Sequence, residues 1–189
     1  MWSEKDIEEY LMKNSQEKRF VHILGVVDTS EKLAEFYGED IQKARLAAYL
    51  HDLAKSMESK DLISLIEANG YELSQEDKDM PELLHGLAGG ILGEKIMEIK
   101  DEEVFNAARY HTTGRVGMNL LEKIVFLADY IEPNRSFPGV EEIRELAYKD
   151  IDEALLRAFD NTIVHVIKKG RPLHSRTIRS RNYLLKNKL

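Results

Sequence analysis

The stretch Leu121-Glu122-Lys123-Ile124-Val125-Phe126-Leu127-Ala128-Asp129-Tyr130-Ile131-Glu132 decides how the chain is read. Leu121, Val125, Ala128 and Glu132 recur at helical spacing, so the segment 119–132 reads as a helix and not as an alternating strand. One carboxylate, Asp129, interrupts the apolar run on the flank of that stripe and should point at least partly inward. A buried, unpaired carboxylate is costly, and a metal or other cation is the usual remedy.

Helical patterning continues on both sides. Ser3 with Asp6 has the form of a capping box opening a first helix through Met12. Ser15 is expected to cap a second, where Phe20, Ile23, Leu24 and Val27 share a face, running past Leu33 and Phe36 to Gly38. Asp40 caps a third, Ile41 to about Lys55, and residues 60–68 form a fourth, closed by Asn69-Gly70. Pro81 suits the first position of a helix running towards Ile99. Its Gly86, Gly89, Gly90 and Gly93 are poor helix formers and imply close helix–helix approach. Stretches at 101–111, 140–147, 150–168 and 174–186 complete the set. There is no alternation with turn pairs and no linker composition, so one all-α domain over residues 1–189 is expected.

The chain of 189 residues is 43% apolar, enough for a real core. No apolar run approaches the roughly 20 residues of a membrane-spanning helix. The N-terminus lacks the basic-then-apolar layout of a signal peptide, so a soluble, cytoplasmic protein is expected. Without cysteine there is no thiolate zinc site, iron–sulfur cluster or cysteine nucleophile; any metal must be held by histidine and carboxylate. The net charge of −7 hides an asymmetry. Residues 1–160 carry 19 basic against 34 acidic residues, whereas beyond Asp160 there are eight basic residues and no acidic one. That basic segment, about 168–189, either docks on the acidic body or closes over a site and supplies cations to a phosphate-rich ligand. An acidic body argues against a duplex nucleic acid partner.

Among six histidines, the settings decide. His22 lies on the helix bearing Phe20, Ile23 and Leu24, and His51-Asp52 ends the apolar run Ala44–Leu50. With Asp129, two imidazoles and two carboxylates on three helices can close around one divalent ion. Such a nitrogen/oxygen set suits iron, manganese or zinc, with positions left for water. The plainer alternatives are that His22 is a satisfied core histidine and that Asp129 pairs with Arg109 or Lys123.

His22, His51-Asp52 and Asp129 resemble the H…HD…D signature of the HD-domain phosphohydrolases, an all-helical superfamily that binds catalytic metal at those positions. Longer pieces resemble one subfamily, the YqeK-type symmetrical bis(5'-nucleosyl)-tetraphosphatases. They are Arg19-Phe20-Val21-His22, His51-Asp52-Leu53-Ala54-Lys55, His111-Thr112-Thr113-Gly114, Leu127 through Arg135, and Thr177 through Asn182. The resemblance implies iron, as one or two ions, with manganese or another divalent metal as substitutes. It also implies cleavage of diadenosine tetraphosphate into two ADP.

In that reading His22, His51, Asp52 and Asp129 hold the first metal, and Asp52 also orients the attacking water. Lys55 shares a helical face with Asp52 and partners phosphate charge in the transition state. His85 and His111 belong to the site either as ligands of a second metal, which Asp52 would bridge, or as phosphate donors, and Thr112 adds a hydroxyl. Arg135, on the loop after Pro133, has the planar fork that suits phosphate; its plainer role is a surface pair with Glu141 or Glu142. The stretch Arg171-Pro172-Leu173-His174-Ser175-Arg176-Thr177 has donors and no acids and is expected to wrap the nucleotide. His165, among Ile163, Val164, Val166 and Ile167, reads as a core or interface histidine, and Val164 and Ile167 leave room for a homodimer. Tyr110 and Tyr130 adjoin site positions and are candidates to stack on adenine. Two alternatives stay open: a phosphomonoesterase or cyclic-nucleotide phosphodiesterase on the same scaffold, and a nucleotide-binding regulator without turnover.

Overall fold

Capping chemistry sets the first helix, α1 (Glu4–Asn14): the Ser3 hydroxyl accepts from the Asp6 N–H, and the Asp6 carboxylate takes the Ser3 N–H in return. Ser15 does not cap the next helix as expected. Its own N–H bonds the Leu11 carbonyl and closes α1, so α2 (Glu17–Tyr37) starts from Gln16 without a side-chain cap and ends on Gly38 in the left-handed region. Asp40 caps α3 (Ile41–Leu50), which stops short of the expected Lys55. Beyond His51 the hydrogen bonds tighten to three-residue spacing, from Leu53 to Leu50, Lys55 to Asp52 and Met57 to Ala54. His51 and Asp52 therefore sit on a tight turn at the end of α3.

α4 (Ser59–Ala68) follows, then α5 (Gln75–Asp79), a short helix with its own Ser74/Asp77 capping box that the sequence reading passes over. Pro81 opens a single 3-10 turn, Pro81–Leu83, and the long helix expected from it begins only at His85: α6 (His85–Met97). α7 (Glu102–Tyr110), α8 (Leu120–Ile131), α9 (Val140–Ala147), α10 (Ile151–Lys168) and α11 (Ser175–Lys188) complete the order. The structure, a computed structural model, describes residues 1–188, and no strand occurs among them. No helix among the described residues is long and apolar enough to cross a membrane.

α8 is the central helix, packed by α2, α3, α7, α9 and α10. Its Leu121, Ile124, Val125, Phe126, Leu127, Ala128 and Ile131 are all buried, and each large side chain among them contributes about 1.5–3 kcal/mol. A smaller core of Ala54, Leu62, Ile66, Leu84, Leu87, Ala88 and Ile91 fastens α4 to α6. The glycines of α6 do what their spacing implies. A Cβ on Gly89 would stand 2.3 Å from the Leu50 carbonyl oxygen, and one on Gly86 would stand 2.5 Å from that of Ala108. Bare backbone at those two points lets the ends of α3 and α7, and so His51 and His111, approach α6 closely. His165 is not in the core: α10 buries Ala154, Leu155, Leu156, Ala158 and Phe159 and then runs out past them, leaving Val164, His165 and Ile167 at the surface.

Candidate active site

Three histidines are pinned in the same way. Nδ1 of His51 lies 2.5 Å from the Ala48 carbonyl, that of His85 2.7 Å from Glu82, and that of His111 2.7 Å from Ala108. A carbonyl only accepts, so each Nδ1 carries the proton and each Nε2 presents a lone pair. His22 is oriented by a carboxylate instead, its Nδ1 3.1 Å from Glu132 Oε1. All four Nε2 atoms then converge: His22 and His51 approach to 3.3 Å, His85 and His111 to 3.1 Å.

Two carboxylates join them. Asp129 Oδ1 is 3.1 Å from His22 Nε2. Asp52 stands between the pairs, with Oδ1 3.1 Å from His85 Nε2 and 3.9 Å from His111 Nε2, and Oδ2 3.9 Å from His22 Nε2 and 3.9 Å from His51 Nε2. The six residues divide into two triads, His22/His51/Asp129 and Asp52/His85/His111, each with its ligand atoms within 4.8 Å of one another. Paired lone pairs repel at such distances without a cation between them, and Asp52 Oδ1 is buried without a hydrogen-bond partner. The donor set fits divalent metal, and Asp52 lies between the two histidine pairs.

Electrostatics agree. Burial and the neighbouring imidazoles hold His111 well below the ordinary histidine range, and burial likewise lowers His51. Burial also pulls His22 down, but Asp129 and Glu132 outweigh it and the net shift is upward. For Asp52 burial pushes the pKa up, yet His51, His85 and Lys55 prevail and hold the carboxyl far below its usual range. Asp129 is held down in the same way by His22, His51 and Arg135. The site therefore presents two ionised carboxylates and, in His51 and His111, imidazoles kept neutral.

Cations ring the cluster. Arg19 Nη1 bonds Asp52 Oδ2, and Lys55 Nζ lies 3.4 Å from Asp52 Oδ1 and 2.9 Å from His85 Nε2. Arg135 turns to Asp129 and not to Glu141 or Glu142: its Nη2 is 2.5 Å from Asp129 Oδ1 and its Nε 2.8 Å from the Asp129 carbonyl. The alternative partners of Asp129 are occupied elsewhere, Lys123 with Asp152 and Arg109 over the rings of Tyr71 and Tyr110. Two cavities flank the cluster. One, of about 600 Å³, runs from His111, Thr112 and Asp129 to Tyr130, Phe137, Asn161 and His165. The other, of about 880 Å³, is bounded by Lys18, Arg19, His22, Asp52 and Lys55, and Asp129 and Arg135 line both.

The stretch 171–177 is placed differently. Its donors meet acids of α5: His174 Nε2 is 3.1 Å from Asp77, Arg176 3.2 Å from the same carboxylate, and Ser175 Oγ bonds Glu76 at 2.6 Å. None of Arg171, Pro172, Leu173, His174, Ser175, Arg176 and Thr177 lines either cavity. Arg176 does reach over Tyr110, whose ring centroid is 5.9 Å away. Glu132 and Arg19 also reach the cluster, although neither stands in the H…HD…D pattern. Both carried a signal in helical spacing, Glu132 three residues beyond Asp129 and Arg19 three before His22.

The HD domain family model matches residues 19–134, a span that contains His22, His51-Asp52 and Asp129. The chain belongs to the HD-domain family. This HD domain is 46% identical over 171 residues to the symmetrical bis(5'-nucleosyl)-tetraphosphatase of Halalkalibacterium halodurans, covering 89% of this chain and 90% of that one. It is 41% identical over 169 residues to the enzyme of that name from Bacillus subtilis, covering 89% and 90%. A crystal structure from Clostridium acetobutylicum, described as a predicted HD superfamily hydrolase involved in NAD metabolism, matches with a TM-score of 0.97 at 52% identity, over 99% of each chain.

Proposed function

We propose that this HD domain hydrolyses diadenosine tetraphosphate symmetrically to two ADP, using iron at the His22/His51/Asp52/Asp129 cluster, with manganese as a competent substitute. The observation that carries the reading is that two cavities meet at one histidine/carboxylate cluster and share Asp129 and Arg135. A substrate with a nucleoside at each end of a four-phosphate chain needs a chamber on either side of the scissile bond. Each cavity falls in the size range of small-molecule sites. The relatives named as symmetrical tetraphosphatases support the same substrate.

A divalent ion, when bound, supplies Lewis acidity and a water of lowered pKa. The chain's own residues do the rest. His85 and His111 hold the second triad with Asp52. Asp52, ionised and placed between imidazoles, orients the attacking water by accepting its hydrogen bond. Water attacks a phosphorus beside the central bridging oxygen, the bond between them breaks with its electron pair staying on the departing ADP, which leaves as a stabilised anion, and the proton given up by the water passes to solvent. Lys55, Arg19 and Arg135 offset the charge of the phosphate chain. Tyr130 and Phe137, edge to face at 5.1 Å, form an apolar wall for one nucleoside, with the Thr112 hydroxyl beside His111. The C-terminal segment contributes from behind, tying α5 to Tyr110.

The test is chromatography of the products from diadenosine tetraphosphate, with elemental analysis of the purified protein. ADP as the sole nucleotide product, with iron bound, is expected. AMP with ATP, or released inorganic phosphate, would refute the reading and favour a different HD chemistry.

A further inference from the structure

We infer that Arg144, on α9 and outside both cavities, is a positioning residue that aims Glu132 and Arg135 at the site from behind. Its guanidinium spans the turn that ends α8: Nε donates to the Ile131 carbonyl at 2.8 Å, and Nη2 to the carbonyls of Glu132 at 2.7 Å and Arg135 at 2.8 Å. The last carbonyls of a helix lack intrahelical partners and carry the negative end of its dipole. The Glu132 carbonyl already accepts from the Arg135 N–H at 2.9 Å; Arg144 adds a charged donor to it and ties it to the carbonyls of Ile131 and Arg135 on either side of the turn.

The same turn faces the site with its other side. Glu132 Oε1 orients His22, and Glu132 Oε2 accepts from the Asn134 N–H at 2.7 Å and from the Asn134 Nδ2 at 2.9 Å. Arg135 reaches Asp129 from the turn's far end. Arg144 thus touches neither substrate nor metal ligands, yet grips the backbone of both residues that do their work through them. A lysine could not replace it, because one ammonium lacks the planar fork that meets three carbonyls at once.

The KM arm of the test rests on the proposed function; the metal arm does not. Arg144→Lys is compared with wild type for kcat and KM on diadenosine tetraphosphate, alone and in an Arg135→Ala background, and Mn2+ affinity is measured by titration. Arg144→Lys should raise KM about tenfold, the loss of a charge-assisted bond, with kcat within about threefold. In the Arg135→Ala background the same change should raise KM less than about twofold, because the residue it aims is gone. Mn2+ affinity should fall about tenfold through Glu132 and His22. Equal KM effects in both backgrounds together with wild-type Mn2+ affinity would overturn the inference. A second variant, Glu141→Ala, removes only the surface partner of Arg144 and leaves its three carbonyl bonds. It should leave KM unchanged, and a tenfold rise there would also count against the inference. If the wild-type chain splits no diadenosine tetraphosphate, the proposed function fails while the Mn2+ measurement still decides the role of Arg144.

Discussion

Gly25→Ala probes how Glu132 couples α2 to the metal-binding cluster, through fold stability and metal affinity measured side by side. A Cβ at residue 25 would lie 2.6 Å from Glu132 Oε2, 3.3 Å from its Cδ and 3.4 Å from Asn134 Nδ2. Interiors are close-packed, so the carboxylate must retreat by roughly 0.8 Å to reach ordinary contact. Glu132 is buried and pinned by the Asn134 N–H and amide, so it cannot retreat and keep its bond to His22 Nδ1, already 3.1 Å long. Replacing glycine inside a helix returns about 0.8–1 kcal/mol of propensity. Losing a hydrogen bond to a charged group costs about 1.5–3 kcal/mol. The net is a loss of about 0.5–2 kcal/mol in the metal-free protein, a melting point lower by about 1–8 °C. Loosening the orientation of a ligating histidine should weaken metal binding by about 10–100-fold, which is about 1.4–2.7 kcal/mol. Thermal melts with and without Mn2+, together with a direct Mn2+ titration, measure both. A Gly25→Ala variant that binds Mn2+ as tightly as wild type refutes the coupling of Gly25, Glu132 and His22.

Asp52→Asn exchanges the carboxylate that lies between the two histidine pairs for a neutral amide; its N–H groups can donate to the facing imidazole lone pairs, but the negative charge that would hold a divalent ion is lost. Loss of the group that positions the attacking water should lower kcat by about 10²–10⁴-fold, with reduced metal per chain; unchanged metal content and turnover would remove Asp52 from the site. The α5–α11 contact should be acid-sensitive. Burial raises the Asp77 pKa, but Ser74, Arg176 and His174 outweigh it and lower it overall. Its contribution is therefore fully present above the unfolded aspartate value of about 3.9 and lost as pH falls through the lower folded value. Urea unfolding of metal-free wild type and Asp77→Asn should differ by about 1–3 kcal/mol at pH 7 and begin to converge only as pH falls below about 3.9, whereas a difference constant with pH would exclude the ionised contact.

Most helices are legible in the sequence because their signals are local. Ser3, Asp40 and Gly38 end or open helices through hydrogen bonds and dihedrals reaching no more than a few residues, and Asn119 opens α8 in the same way. The departures from the expected pattern have separate causes. Ser15 lies between two helix ends and serves the earlier one, and Pro81 sits at a 3-10 turn that tertiary packing keeps separate from α6. α3 reads too long because Leu53 and Ala54 continue its apolar pattern, although the backbone there is already wound more tightly. Arg171 through Thr177 looks like a phosphate grip because a run of donors without acids does not reveal that Glu76 and Asp77, nearly a hundred residues earlier, will be its partners.

By itself the sequence determined the helical class and the absence of thiolate chemistry, because residue type and helical period are properties of the chain alone; it offered His22, His51, Asp52 and Asp129 as metal ligands, with His85 and His111 beside them, through a family resemblance. Only tertiary structure decided that those six form two triads with Asp52 between them, and that Arg135 faces Asp129. It alone placed Glu132 behind His22 and Arg144 behind Glu132. Each of these is a distance between helices far apart in the chain, fixed by how closely α2, α3, α6, α7 and α8 can pack.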